Sequence, residues 1–412
     1  MSERGTTSAT IVIAGASIAG ARAAETLRAE GFDGKIVLIG AEPALPYERP
    51  PLSKGFLQGA VGEDEFTLHP SDWYAEQGID LRLGTRATIL DITAKQIALN
   101  NGEAVNYDTL LIATGATPRR LTIPGCELAG IHHLRSVADA RAIRDRMETA
   151  QSVVIVGMGF IGAEIAAVAR QAGKQVIALE AGELPMLGAL GREAASRMAW
   201  VHRQHGVDLR LNDGATAFRG TDHVEEVVTA SGATIACDLV VVGIGVEPAT
   251  GWLDNSGVRL QRGVVVDEFC RTNVPDVYAA GDVTRSWHPG YGEHLLVEHF
   301  DNAGNQGAAA AQSMLGKGEP YAPLPYFWSD QYDLSLQFAG HNTGHDQVVT
   351  RGTAESGSWS AFYLREGRFV AALSANRFKD FSAARRLLRA GKTVSAEQLA
   401  DEGVELKQLL RS

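Results

Sequence analysis

The stretch that decides the fold lies between residues 11 and 54: IVIAGASIAG (11–20), a helix-forming segment, KIVLIGAE (35–42) and PYERPPLSK (46–54). Ile11, Val12 and Ile13 form a short apolar run of the kind that makes a buried strand in a parallel sheet. Gly15, Ser17 and Gly20 then occupy the three positions of a Gly-x-Gly-x-x-Gly turn, and Ala21 to Glu30 reads as a helix. A second apolar strand, Ile36 to Ile39, follows, and Glu42 stands 22 residues beyond Gly20. Strand, turn, helix, strand and acid in this order are the pattern that binds a dinucleotide. The tight turn brings the backbone close to a pyrophosphate, the N–H groups of the helix N-terminus bind its charge, and the acid takes ribose hydroxyls. Ser17 departs from the pattern at the close-approach position. It is small, and its hydroxyl can donate to a phosphate oxygen.

The pattern recurs in fuller form. Val153 to Val156 is a strand, Gly157-Met158-Gly159-Phe160-Ile161-Gly162 a complete glycine turn, Ala163 to Gln171 a helix and Gln175 to Leu179 a second strand ending at Glu180. The first glycines of the two turns are 142 residues apart, an internal repeat at the level of fold, and two such units imply two nucleotide cofactors. A carboxylate at Glu180 accepts from both ribose hydroxyls and repels a 2′-phosphate. Ala181, Gly182 and Glu183 supply no arginine to hold such a phosphate, so this turn is expected to prefer NADH over NADPH.

Composition narrows the class. A chain of 412 residues with 45% hydrophobic and 21% charged residues has room for two or three domains. The net charge of −11 argues against nucleic acid as the main partner. Residues 1–9 are polar and read as a frayed tail, and no apolar run approaches the ~20 residues of a membrane helix, so a cytoplasmic location is expected. The three cysteines, Cys126, Cys237 and Cys270, are far apart and form no Cys-x-x-Cys, which leaves no redox dithiol, disulfide framework or metal site to expect.

Short alternating segments between residues 79 and 108 read as antiparallel strands, and residues 109–118 as a buried strand ending at Thr114-Gly115. Leu121 to Ile131 has the proline and glycines of a connector. Residues 207–246 return to strands, TNVPDVYAAGDVTR (272–285) places a strand before Gly281-Asp282, and Leu295 to Leu315 reads as a helix with Glu298, Asn302 and Gln306 on one face. The aromatic, strand-like composition from Pro320 onward reads as a further domain. The expected division is a discontinuous first domain (1–120 and 247–328), a second domain (121–246) and a C-terminal α+β domain (329–412).

Six motifs resemble those of the oxygenase-coupled NADH–ferredoxin reductases, the group that serves putidaredoxin-type and biphenyl-dioxygenase-type systems. They are PYERPPLSK (46–54), ATG (113–115), GMGFIGAE (157–164), VYAAGD (277–282), EHFDNAGNQG (298–307) and PYFWSDQYDLSLQFAG (325–340). The resemblance spans residues 10–345 and extends less closely to the end; Phe300, where a tryptophan is usual, departs from it, as does Ser17. It implies an α/β, glutathione-reductase-like fold with two Rossmann-type domains and a C-terminal α+β domain. FAD would lie on Gly15, Ser17, Gly20 and Glu42, with Thr114, Gly115, Asp282 and Glu298 contributing and Arg49, Lys54 and Trp328 lining the flavin. NADH would lie on Gly157, Gly159, Gly162 and Glu180. Lys54 and Glu164 would form an ion pair beside the flavin, the cation favouring the anionic reduced ring. On the residues alone, Trp328 reads equally as a core aromatic, Glu298 as a solvated helix residue, and Lys54 and Glu164 as a loop lysine and a helix-turn glutamate.

The implied reaction carries a hydride from NADH to FAD and single electrons onward to a 2Fe–2S ferredoxin, which serves a cytochrome P450 or a Rieske-type oxygenase. Residues 365–392 hold eight basic residues against two acidic ones, a local balance of +6 that includes Arg377, Lys379, Arg385, Arg386 and Arg389. This is a steering surface for an acidic ferredoxin, or else a solvated basic helix. One alternative within the fold is an NADH oxidase, peroxidase or disulfide reductase, which needs a cysteine against the flavin; Tyr47 to Lys54 contains none. Another is an apoptosis-inducing-factor-like redox protein, which the acidic balance and short polar N-terminus disfavour.

Overall fold

The computed structural model describes residues 9–411, so the expectation of a frayed N-terminal tail falls, except for Ala9, outside the described residues. The chain divides into two compact units, residues 1–49, 62–117 and 246–323 in one and 50–61, 118–245 and 324–412 in the other.

The first unit is built on a five-stranded parallel sheet in the order Val277–Ala279, Thr109–Ile112, Thr10–Ala14, Lys35–Ile39, Ile79–Arg82. Alternation along the central strand sends Ile11 and Ile13 to one face and Val12 and Ala14 to the other. On the first face lie helices Ile18–Ala29 and Phe300–Met314, which touch backbone to backbone: a Cβ on Gly307 would stand 2.1 Å from the Ala19 carbonyl oxygen. On the second face the core includes Leu90, Ile97 and Val105 from the antiparallel strands Ala87–Asp91, Gln96–Leu99 and Ala104–Asn106. Continuous burial explains why the parallel strands read as plain apolar runs while 87–106 alternates.

The second unit repeats the plan, with parallel strands in the order Asp208–Leu211, Gln175–Glu180, Ser152–Val156, Leu239–Val242, Ile131–His132. Two further segments belong to the same unit. Residues 324–411 form a five-stranded antiparallel sheet with helix Phe378–Arg389, and its Leu334, Phe338, Trp359 and Tyr363 share one apolar core with Met186, just before helix Leu187–Gln204, and with Leu190, Met198 and Val201 of that helix. Residues 50–61 also pack here: Leu57 enters that core and the Arg144 guanidinium lies 4.7 Å from the Phe56 ring centroid. The packing thus groups 50–61 with the second dinucleotide segment, where the sequence places them in the first domain, because Phe56 and Leu57 find their apolar partners there. Helix 187–204 is broken at Gly191 (φ 72°), and the Tyr363 hydroxyl donates to the Leu190 carbonyl at the break.

The C-terminal segment is held by one buried cation. Arg351, 2% exposed, donates to the carbonyls of Leu399 (2.5 Å), Gln398 (2.7 Å) and Val404 (3.0 Å), with Asp380 at 4.0 Å. Replacing Arg351 with leucine removes the buried bond to Leu399 and the partly buried bonds to Gln398 and Val404, each costing ~1–3 kcal/mol. A loss of about 3–5 kcal/mol is expected, together with proteolytic clipping beyond residue 390; an unchanged denaturation midpoint would contradict this.

Candidate functional site

In the first unit the glycine turn is tight for reasons internal to the fold. Gly15 has φ 123°, and a Cβ there would stand 2.0 Å from the Ala113 carbonyl oxygen; one on Gly20 would stand 1.9 Å from the Gly15 oxygen. These contacts force glycine at both positions. Ser17 precedes the first helical residue, with extended backbone, yet its hydroxyl makes no cap hydrogen bond, and the first turn of the helix holds no acidic residue. Both features suit an external anion: the helix N-terminus is not already satisfied from within the chain.

Glu42 is gripped by its neighbours. Arg49 Nη2 donates to Oε1 (2.6 Å) and the Tyr47 hydroxyl to Oε2 (2.6 Å). Burial works against the Arg49 cation, and the fields of Tyr47, Glu42 and Asp282 outweigh it. Arg49 therefore orients the Glu42 carboxylate, a job that the sequence did not assign to it. Tyr47, its neighbour in the same motif, was missed altogether. The Thr114 hydroxyl donates to the Ala249 carbonyl (2.9 Å), and the Ala249 N–H donates to the Gly115 carbonyl (2.9 Å), so Thr114-Gly115 clamps two chain segments.

Asp282 follows Gly281, whose φ of 81° needs glycine and whose N–H donates to Gln306 Oε1 (2.9 Å). The Thr284 hydroxyl lies 3.0 Å from the same oxygen, which makes Gln306, fully buried, the support of the Gly281–Asp282 turn. Glu298 does not belong to the helix in which the sequence placed it: the helix begins at Phe300, with His299 before it, so Glu298 shares no helical face with Asn302 and Gln306. Burial pushes His299 down to about 4, with Asp282 pulling the other way.

In the second unit Gly157 (φ 92°) would place a Cβ 2.5 Å from the Gly243 oxygen, and Gly162 one 2.1 Å from the Gly157 oxygen. Gly159 differs. Its φ is −70°, and a Cβ would meet only the Gly243 oxygen, at 4.0 Å. Nothing in the chain demands glycine there, whereas a pyrophosphate against the turn would. Glu180 accepts from the Met158 N–H (2.9 Å) and the Gly182 N–H (2.8 Å), which fixes the carboxylate at the edge of the turn with lone pairs left over. Glu183 pairs with Arg192, so this nearby guanidinium already has a carboxylate partner.

The same unit buries an ion pair. Glu164, 2% exposed on helix Phe160–Gln171, accepts from Lys54 Nζ (2.7 Å) and the Ser53 hydroxyl (2.5 Å) at Oε2 and from the Ser329 hydroxyl (2.6 Å) at Oε1. A carboxylate taken out of water needs this many donors. The sequence pointed to the pair, but not to Ser53 and Ser329, although each adjoins a residue already singled out. Trp328, half-buried on strand Tyr326–Gln331, stands 6.1 Å from Tyr326 in a stacked arrangement.

The basic segment is less uniform than its charge count. Arg377 pairs with Asp380 (2.8 Å) and Glu402 (3.1 Å), and Arg385 lies over the Tyr326 ring (4.6 Å). Lys379, Arg386 and Arg389 are exposed. Burial pushes the Cys237 and Cys270 thiols up to about 12, so both are inert near neutral pH. No group of residues suited to a metal ion occurs among the described residues.

His202 and His299 give an acid-stability prediction. Burial holds both at about 4 against an ordinary 6.5, so below pH 6.5 the unfolded chain binds protons that the folded chain does not. Stability therefore falls as pH drops from 6.5 toward 4, by about 2 kcal/mol per histidine between pH 7 and pH 5. Denaturation midpoints across that range measure it, and replacing either histidine with asparagine should flatten the slope.

Two glycine turns with ribose-type acids, two parallel sheets and a C-terminal α+β segment define an oxidoreductase of the two-dinucleotide, glutathione-reductase-like class. Residues 9–307 match the pyridine nucleotide-disulphide oxidoreductase family and residues 326–410 the reductase C-terminal family. Rhodocoxin reductase of Rhodococcus erythropolis is 37% identical, the match covering 96% of this chain and 93% of that protein. The biphenyl dioxygenase system ferredoxin–NAD(+) reductase component of Paraburkholderia xenovorans is 39% identical, covering 98% of each. The covalent putidaredoxin reductase–putidaredoxin complex superposes with a TM-score of 0.95 at 31% identity, over 98% of both chains. The chain belongs to the pyridine nucleotide-disulphide oxidoreductases, in the branch of the oxygenase-coupled NADH–ferredoxin reductases. FAD and NADH are its cofactors.

Proposed function

We propose that this flavoenzyme draws electrons from NADH and delivers them one at a time to a 2Fe–2S ferredoxin that feeds a cytochrome P450 or a Rieske-type oxygenase. The observation that carries the reading is the pair of glycine turns, one with an unused Ser17 hydroxyl and the other with open space over Gly159, in a chain whose buried thiols are inert. Bound FAD would supply the chemistry of accepting one hydride and giving up its two electrons singly, which a nicotinamide cannot offer to a one-electron carrier. The first unit would hold it through Gly15, Ser17, Gly20, Glu42, Thr114, Gly115, Asp282 and Glu298, with Arg49 fixing Glu42. Gly157, Gly159, Gly162 and Glu180 would hold NADH. Lys54, held in place by Glu164, would supply the cation that favours negative charge arriving on the flavin, and Trp328 a flat apolar wall. The three-domain division by role, 1–120 with 247–328, 121–246 and 329–412, belongs to the same reading, as does a cytoplasmic location. No described helix is long and apolar enough to cross a membrane.

The test is stopped-flow reduction by NADH followed by separate challenge with a ferredoxin, peroxide and a dithiol substrate. Rapid reoxidation by the ferredoxin alone is expected; rapid turnover with peroxide or dithiol would sink the reading.

The exposed Lys379, Arg386 and Arg389 would steer the ferredoxin. Reversing Lys379 and Arg386 to glutamate is expected to slow ferredoxin reduction about tenfold at low salt. Reduction of ferricyanide should be unchanged, and the difference should vanish as salt is raised.

A further inference from the structure

Glu164 is the end of a longer chain of buried polar groups. Ser329 Oγ lies 2.6 Å from Glu164 Oε1 and 3.1 Å from Gln331 Nε2; Gln331 Oε1 lies 2.9 Å from His202 Nε2; His202 Nδ1 lies 2.9 Å from the Tyr332 hydroxyl. Ser329, Gln331 and His202 are all at most 1% exposed. At the outer end the Tyr332 ring stacks on the exposed His205 at 3.7 Å.

A single charge dictates every proton in this chain. A carboxylate paired with lysine can only accept, so Ser329 must donate to it. The Ser329 oxygen must then accept from the Gln331 amide nitrogen, which turns the Gln331 carbonyl toward His202. That carbonyl requires a proton on His202 Nε2, leaving Nδ1 to accept from Tyr332. We propose that Tyr332, His202, Gln331 and Ser329 form a one-way donor chain that positions Glu164 for Lys54, with His202 held as the neutral Nε2–H tautomer. These four are positioning residues, and the consequence for the flavin rests on the role proposed above for Lys54.

Two independent features support the chain. Tyr332 begins the two-residue connection between strands Tyr326–Gln331 and Leu334–Gly340 with φ 60°, a conformation costly for a bulky side chain and one that keeps its hydroxyl on His202. Burial also keeps His202 uncharged, down at about 4; the Gln331 bond pulls upward and the neighbouring His205 adds to the downward push, while Arg170 faces Tyr332.

Nitrogen NMR of the FAD-loaded enzyme with labelled histidine reads the tautomer. The wild type should show His202 as a single Nε2–H form; an Nδ1–H form would overturn the chain. Ser329→Ala touches neither imidazole nitrogen, yet it frees Gln331 to turn over and should raise the Nδ1–H population about five-fold. Ser329→Thr, which keeps the hydroxyl, should restore the wild-type signal. An unmoved tautomer in Ser329→Ala would overturn the proposal. The flavin midpoint potential separates this from the reading of Lys54. Ser329→Ala should move it in the same direction as Glu164→Gln; a shifted tautomer with a fixed potential in both variants would refute the role of Lys54 and uphold the donor chain.

Discussion

Replacing Gly159 with aspartate is expected to raise the KM for NADH about a hundredfold while leaving the protein folded, yellow and close to wild type in thermal stability. A side chain at this position meets only the Gly243 oxygen at 4.0 Å and needs no unusual φ, so the chain itself tolerates it. The cost falls on the ligand: the new carboxylate occupies the close-approach position and repels a pyrophosphate. A hundredfold corresponds to about 2.7 kcal/mol of lost binding, a reasonable sum for steric displacement and like charge in one site. Gly162→Ala is the contrasting control. Its Cβ would stand 2.1 Å from the Gly157 oxygen, so it should lower the melting temperature rather than spare it. Equal loss of stability in both variants would mean that the turn is built for packing alone.

Lys54→Met is expected to cost about 3–5 kcal/mol of stability, because it leaves the Glu164 carboxylate buried with hydroxyl donors but no countercharge. Glu164→Leu should cost less, about 1–2 kcal/mol. The Lys54 side chain is 20% exposed and can turn its ammonium toward water, whereas Glu164 cannot. The double variant should be more stable than the two single losses sum to, since two apolar side chains no longer strand a charge. Chemical denaturation of the four proteins closes the cycle. Additive losses would show that the pair is no more than a contact in passing.

Much of the first unit was legible because its turn carries a fixed spacing of glycines between two apolar runs. Gly20 is forced by the Gly15 oxygen five residues back and Gly15 by Ala113, which follows the paired strand Thr109–Ile112, and Glu42 stands three residues past the strand Lys35–Ile39. Gly162 repeats this against the Gly157 oxygen and Gly157 against Gly243, while Glu180 is the last residue of its strand. What could not be read was who holds these groups. Tyr47 and Arg49 on Glu42, and Gln306 beneath Gly281, are polar residues whose partners lie up to 25 positions away, and no periodicity marks them. The helix before Met314 shows the limit in the other direction: helix-forming composition ran back to Leu295, but the helix starts only at Phe300.

By itself the sequence determined the two parallel sheets, their glycine turns and the acid after each, because spacing of 2.0 and 3.6 residues and backbone sterics act over short range. Tertiary structure alone decided that residues 50–61 and 324–412 pack with the second turn, that Ser53 and Ser329 complete the shell of Glu164, and that Arg377 and Arg385 are already engaged while Lys379, Arg386 and Arg389 face solvent. The reason is physical: desolvation of a carboxylate or a guanidinium is settled by donors that arrive from distant parts of the chain, and only the packed fold brings them within 3 Å.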